Sequence, residues 1–356
     1  MSAPAQESAQ STSDETALDV DRLTAWLNTQ GLGTGAALEY EVLSGGAQNT
    51  IYRITRGDLS CVLRTPPPSA PVQRDDGIGR EWRIIEALDG SDVPHTPAIA
   101  LCEDPSVLGR PFYLMGLVDG WSPMTMANRE WPEPFGADLA ARRGLALQLV
   151  EGIAAMAAFD WQGGGLAGLG RPDGFHERQV DRWTTFLQKV PGARHLPGFE
   201  ETAAWLRTHK PLDFVPGLMH GDYQFANVMF RDGAPARLAA ILDWEMGTIG
   251  DPKLDLALVA GSWPEDPDAE HKGGGYVDLR GMPGKAEIVE HFATTTGRQV
   301  EDMDYYYVLI KFKHAIVLEQ GFQRSTPGST RAAFGPIALS MMADAAELAA
   351  SSDYRG

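Results

Sequence analysis

The chain has 356 residues, 43% of them hydrophobic, and a formal net charge of −18 at pH 7. That length exceeds what one hydrophobic core usually holds, so two lobes are expected. The acidic balance argues against a nucleic-acid binder, which needs a basic footprint, and leaves cationic small molecules open as ligands. Two cysteines, Cys61 and Cys102, sit in apolar segments and form no metal or disulfide pattern, which fits a reducing compartment. The apolar stretch from Gly144 to Phe159 is interrupted by Gln148 and Glu151, too short and polar to span a bilayer. A soluble, cytoplasmic protein without membrane or nucleic-acid partners is the expectation.

Residues 1–17, rich in Ser, Ala and Gln, read as a disordered tail. A helix follows from Asp19 to Asn28, with Val20, Leu23, Trp26 and Leu27 on one face. Strands are expected over 38–43, 50–55 and 60–64, the last stopped by Pro66, Pro67 and Pro68. A helix over 76–88 carries Glu81, Trp82, Ile84, Ile85 and Leu88, and strands over 98–103 and 111–117 complete a β-rich N-terminal lobe, 18–118. Beyond it, helical periodicity marks 137–161, 177–190, 198–209, 285–297, 302–322 and 329–350 in a mainly helical C-terminal lobe, 119–356. These helices are interrupted by an apolar island from Gly217 to Asp251 with strand-like runs at 228–230 and 238–242, and residues 262–284 read as a surface loop.

Phosphoryl transfer needs a metal against the phosphates, a carboxylate to orient the attacking hydroxyl, and a cover over the triphosphate. The island contains such parts. Asp222 and Asn227 lie five apart in His220-Gly221-Asp222-Tyr223-Gln224-Phe225-Ala226-Asn227, and Asp243 follows an apolar strand sixteen residues later. Asp222 is placed as the base that accepts the hydroxyl proton, and Asn227 and Asp243 as oxygen ligands of Mg²⁺. Any one of these residues alone reads as an ordinary turn or cap; their joint spacing carries the argument.

HGDYQFANVMF followed by ILDWEMGTIGDPKLDLA resembles the signature of the aminoglycoside phosphotransferase and choline kinase-like family. The resemblance implies an α+β, bilobal, protein kinase-like fold, with the family's catalytic aspartate on Asp222 and its metal ligands on Asn227 and Asp243. Asp255 and His220 would brace the catalytic loop. Ser44, Gly45, Gly46, Asn49 and Thr50 fall where the family covers the nucleotide, although a Gly-Gly between strands is also a plain hairpin turn. Arg64 stands where many relatives carry a phosphate-binding lysine, with Glu81 as its ion-pair partner. The segment 114–118, with Met115 and Leu117, would link the lobes and read the adenine edge of ATP, with GTP left open.

Residues 62–67, 101–109 and 306–324 narrow the resemblance to a subgroup similar to the phosphotransferase domain of acyl-CoA dehydrogenase family members ten and eleven, where arginine at the lysine position is usual. The likeness covers roughly residues 20–345, so the kinase-like part is expected alone. The implied activity is ATP-dependent phosphorylation of a small-molecule hydroxyl, on an aminoglycoside-like or hydroxyacyl compound. A polyamine acceptor would be met by Glu265, Asp266, Asp268, Glu270, Glu301, Asp302, Asp304 or Glu319, with Trp183, Trp244 and Trp263 as aromatic walls. A hydroxyacyl-CoA would need a basic patch, for which Arg142, Arg143, Arg178, Arg182 and Lys189 are candidates. Two rivals stand beside this reading. A pseudokinase or scaffold module of the same fold would lack one of the three site residues, and a metal hydrolase would lack the lid and the Arg–Glu pair.

Overall fold

The computed structural model describes residues 17–45, 49–123, 130–269, 277–300, 303–326 and 328–355. The expected tail, apart from Ala17, lies outside the described residues, as do Gly46, Glu270, Glu301 and Asp302. The N-terminal part opens with α1 (Val20–Thr29), whose first turn is capped by the Asp19 carboxylate accepting from the Arg22 N–H at 3.0 Å. Strands β1 (Glu39–Gly45), β2 (Thr50–Arg56), β3 (Leu59–Thr65), β4 (Ala98–Cys102) and β5 (Phe112–Gly116) form one antiparallel sheet in the order β1-β2-β3-β5-β4. Helix α2 (Asp75–Leu88) crosses it, burying Ile78, Glu81, Ile84, Ile85 and Leu88 at helical spacing.

The period of two along a strand decides what each face of this sheet holds. Cys61 and Leu63 of β3, with Phe112 and Leu114 of β5, join Leu23 and Leu27 of α1 in one apolar cluster. Arg64 pairs in register with Tyr113, and both residues point to the opposite face, toward α2. A charged side chain near the end of a buried strand is thereby aimed at Glu81.

The C-terminal part is built from α3 (Leu139–Ala158), α4 (Phe175–Gln188), α5 (Phe199–Thr208), α6 (Lys253–Gly261), α7 (Lys285–Thr296), α8 (Met303–Gln323) and α9 (Phe334–Ser351). Helix α8 is central, packing on α4, α5, α6 and α9. Between α5 and α6 run four short strands: β6 (Gly217–Met219), β7 (Val228–Phe230), β8 (Leu238–Ile241) and β9 (Thr248–Gly250). They are nested: β7 pairs with β8 and β6 pairs with β9, both antiparallel. This nesting lays the β6–β7 loop beside the β8–β9 loop.

The structure extends the expected layout at four places. Strands β6 and β9 and helix α6 were not anticipated, nor was a one-turn helix at Pro105–Leu108. The last helix starts at Phe334, behind a 3₁₀ turn over 330–333, rather than at 329. No helix among the described residues is long and apolar enough to cross a membrane.

Candidate active site

Two loops and one strand make the site. The β6–β7 loop begins with His220 and Gly221, whose backbone N–H groups donate to the two carboxylate oxygens of Asp255 at 2.6 and 2.8 Å. Asp255 sits in the first turn of α6, fully enclosed, and burial raises its pKa to about 6 against those two hydrogen bonds. Gly221 has φ +83°, and a Cβ there would lie 2.8 Å from the Met246 carbonyl oxygen, so only glycine fits. His220 bonds through Nε2 to the Leu242 carbonyl at 2.7 Å, stitching this loop to the next. Burial holds its imidazole neutral, with a pKa lowered to about 4. The bracing positions expected for Asp255 and His220 are the positions they occupy.

Asp222 follows immediately. Gln224 Nε2 donates to its Oδ1 at 3.2 Å, and Asn227 Nδ2 donates to its Oδ2 at 3.2 Å and to its backbone carbonyl at 2.8 Å. Burial is the largest influence on Asp222 and raises its pKa, opposed by the nearby Lys313 ammonium and the Asn227 bond. Both bonds from Asn227 use its nitrogen, which leaves its amide oxygen for a cation. The Leu242 N–H donates to the Asn227 carbonyl at 2.8 Å and so ties Asn227 to the residue before Asp243.

Asp243 has φ +64°, the one positive value for a non-glycine among the described residues. Such a conformation persists only where the surroundings hold it, and it is common at functional sites. Arg64 provides that hold. Its Nη2 lies 2.6 Å from Asp243 Oδ1, while its Nε lies 2.8 Å from Glu81 Oε2, and Tyr113 donates its hydroxyl to the same Glu81 oxygen at 2.9 Å. Arg80 and Arg83, the arginines flanking Glu81 on α2, are engaged elsewhere, on the carbonyls of Gly247 and Gly165. Carboxylate oxygens of Glu81, Asp243 and Glu245 come within 4.8 Å of one another, a donor set suited to a hard divalent cation.

Around this centre are three clefts, and Glu245 and Met246 line all of them. A pocket of about 440 Å³ has Asp222 and Gln224 on its wall and is otherwise mostly apolar, with Leu258, Ile310, Leu318 and Met341. A pocket of about 290 Å³ behind the β6–β7 loop holds Arg80, Arg182 and Lys313. A larger cleft of about 870 Å³ is lined by Asn49, Arg74 and Glu81 from the N-terminal part and by Arg178, Arg182 and Lys189.

The structure therefore brings Arg64, Glu81 and Asp243 together, and Asp222 with Asn227. Asn49 reaches the edge of the large cleft, and Thr50 is buried opposite Thr65 and Gly45. Ser44 and Gly45 end β1, while Gly46 lies outside the described residues. Met115 pairs with Val62 and Ala98 inside the sheet and Leu117 follows β5, neither bonded to the network above.

Several acceptor candidates are placed elsewhere. Glu319 is held by Arg194 at 2.5 Å, Asp304 by Ser352 at 2.7 Å, and Asp268 by the Gly281 N–H at 2.8 Å. Trp244 and Trp263 are core residues, and only Trp183 faces the clefts. Arg142 is paired with Asp278 at 2.9 Å and Arg143 with Glu287, away from the site. Sequence reasoning passed over Glu245, although it stands in the quoted Asp243-Trp244-Glu245 run, and also Lys313, whose charge inside an apolar helix was the available signal.

Residues 39–286 match the model of the phosphotransferase enzyme family. Acyl-CoA dehydrogenase family member 11 of Pongo abelii is 28% identical over 320 residues, covering 87% of this chain and 40% of the relative. Family member 10 of Mus musculus is 27% identical over 339 residues, covering 92% of this chain and 30% of the relative. The chain thus spans less than half of these relatives. A crystal structure from Ralstonia eutropha, provisionally described as an aminoglycoside phosphotransferase, superposes with a TM-score of 0.78 at 29% identity, over 94% of this chain and 99% of that one. The expected α+β, kinase-like fold is the one observed, and the chain belongs to the phosphotransferase enzyme family.

Proposed function

We propose that this protein is a small-molecule kinase that moves the γ-phosphate of ATP to a hydroxyl group, with the division into lobes at 18–118 and 119–356 setting the nucleotide between them. The observation that carries the proposal is the joining of two loops: Asp222 and Asn227 on one, Asp243 on the other, stitched by His220 and Leu242. Asp222 accepts the proton of the acceptor hydroxyl as its oxygen bonds to the γ-phosphorus and ADP leaves. Arg64, held flat by Glu81, faces the phosphates from β3, beneath the cover supplied by Ser44, Gly45, Gly46, Asn49 and Thr50. Met115 and Leu117 offer backbone groups to the adenine. Asn227 and Asp243 would hold Mg²⁺, which neutralises phosphate charge when bound. All three site residues are present, which favours an active kinase over a silent scaffold module. Such a protein works in the cytoplasm, in keeping with the free, buried Cys61 and Cys102.

Charge in the clefts favours a hydroxyacyl acceptor with an anionic head over an aminoglycoside. Each acidic residue lining the large cleft has a cationic partner: Glu81 with Arg64, Glu245 with Arg74, Asp181 with Arg207 and Glu177 with Lys210. Arg178, Arg182 and Lys189 have no carboxylate partner among the described residues. Arg182 and Arg178 repel each other, and burial followed by that repulsion lowers the pKa of Arg182. Four cations and four carboxylates line the cleft, and with the carboxylates already paired, three of the cations are left to meet an anion, inside a protein of net charge −18. An anionic head would sit there, and an apolar chain bearing the hydroxyl would run into the pocket beside Asp222. The test is transfer of labelled γ-phosphate from Mg·ATP to 3- or 4-hydroxyacyl-CoA, compared with kanamycin-type aminoglycosides and choline. Transfer to the acyl compounds is expected; labelling of aminoglycosides alone would overturn the acceptor assignment.

A further inference from the structure

Gly221 is the residue whose conformation aims Asp222. Lacking a side chain and sitting at φ +83°, it is held only by what bonds to its peptide groups. Its N–H is fixed by Asp255 of α6, and its carbonyl accepts from Lys313 Nζ of α8 at 2.5 Å. These contacts reach the two peptide groups of the same glycine from different helices. Lys313 is also the cation beside two carboxylates, the half-buried Asp222 and the enclosed Asp255, which repel each other and which it stabilises. Its ammonium accordingly loses solvation to stay there, and burial lowers its pKa against the pull of both carboxylates. It lines both the pocket behind the β6–β7 loop and the pocket that contains Asp222.

A half-buried lysine that serves only packing has cheaper replacements, since a methionine fills similar space without desolvating a charge. We propose that Lys313 is a positioning residue for phosphoryl transfer: with Asp255 it clamps the Gly221 peptide so that the Asp222 carboxylate meets the acceptor hydroxyl. The inference rests on the kinase reading above. A displacement of about 1 Å at a reacting group costs on the order of 10²-fold in rate, so loss of the clamp falls on kcat rather than on nucleotide binding.

The experiment uses the full chain and two variants, Lys313→Met and Lys313→Arg. Amide hydrogen exchange at residues 220–222 is read beside kcat and the KM for ATP, with 4-hydroxyacyl-CoA as the acceptor probe. In Lys313→Met, exchange at those amides rises about tenfold or more while α6 and α8 stay protected. In the same variant kcat falls roughly 10- to 100-fold, with the KM for ATP within about twofold of wild type. Lys313→Arg, which keeps charge and donor, restores both readouts in large part. Unchanged exchange and kcat in Lys313→Met, or exchange raised evenly along α8, would overturn the positioning role alone. A wild-type protein that never consumes ATP would overturn the kinase reading and this inference with it, whatever the exchange pattern.

Discussion

Replacing Arg64 by methionine separates the fold's need for this residue from the function's. Arg64 and Glu81 are 8% and 2% exposed as side chains, and their ion pair at 2.8 Å, with the Tyr113 hydroxyl and Asp243, compensates for burying two charges. Breaking a buried pair by removing one partner costs about 3–5 kcal/mol, because the other charge is left uncompensated. Asp243 is affected less, since it is 31% exposed and water can solvate it. Burial already raises the Glu81 pKa and Arg64 opposes that shift, so Arg64→Met pushes it higher still. A carboxyl whose folded pKa is raised loses stability as pH rises through the interval between its unfolded and folded values. The deficit in Arg64→Met is therefore larger at pH 8 than at pH 5. The triple variant Arg64→Met, Glu81→Leu, Tyr113→Phe removes the charges and the stranded hydroxyl together, and it should recover to within about 1–2 kcal/mol of wild type. Urea unfolding followed by tryptophan fluorescence measures these differences, and calorimetry with Mg·ATP measures binding. Both variants should bind nucleotide at least tenfold more weakly. An Arg64→Met protein as stable as wild type would refute the burial argument, and full nucleotide affinity in the triple variant would refute the phosphate contact.

Three further outcomes are expected. Asp222→Asn should lower kcat by about 10²–10⁴ with little change in nucleotide affinity, as seen by steady-state kinetics beside calorimetry. Asp243→Ala should abolish the Mg²⁺ dependence of ATP binding in a titration with and without the metal. Because burial depresses the His220 pKa from 6.5 to about 4, the unfolded chain takes up that proton first. Acidification from pH 6.5 toward 4 should thus cost up to about 3 kcal/mol at 1.36 kcal/mol per pH unit, and His220→Asn should flatten that slope in urea titrations at several pH values.

The sequence showed the elements with a clear period and concealed those without one. The sheet and α2 were legible because β2 alternates buried with more exposed residues and α2 carries a buried stripe at helical spacing. Helix α6 was not, because Lys253, Leu254, Asp255, Leu256, Ala257, Val259 and Ala260 are buried almost all round, which erases the amphipathic signal. Strands β6 and β9 are three residues each and carry a terminal glycine, Gly217 and Gly250, which weakens any strand signal. Within the site, Asp222, Asn227 and Asp243 were readable as a spaced set. Their support from Asp255 and Lys313 depends on where α6 and α8 cross the loop. Acidic residues such as Glu319 and Asp268 misled as acceptor contacts because composition reports the sign of a charge and not its address. Arg178 and Arg182 reach the cleft only through the way α4 packs beside α8.

The most direct test of the account is the fate of the γ-phosphate. Wild type and Asp222→Asn are each given γ-³²P-ATP, Mg²⁺ and a hydroxyacyl-CoA, and labelled products are separated and weighed by mass spectrometry. The account predicts a phosphorylated acyl product from wild type, falling by at least about 10²-fold in Asp222→Asn. Label retained in ATP by both proteins, or equal product from both, would contradict it.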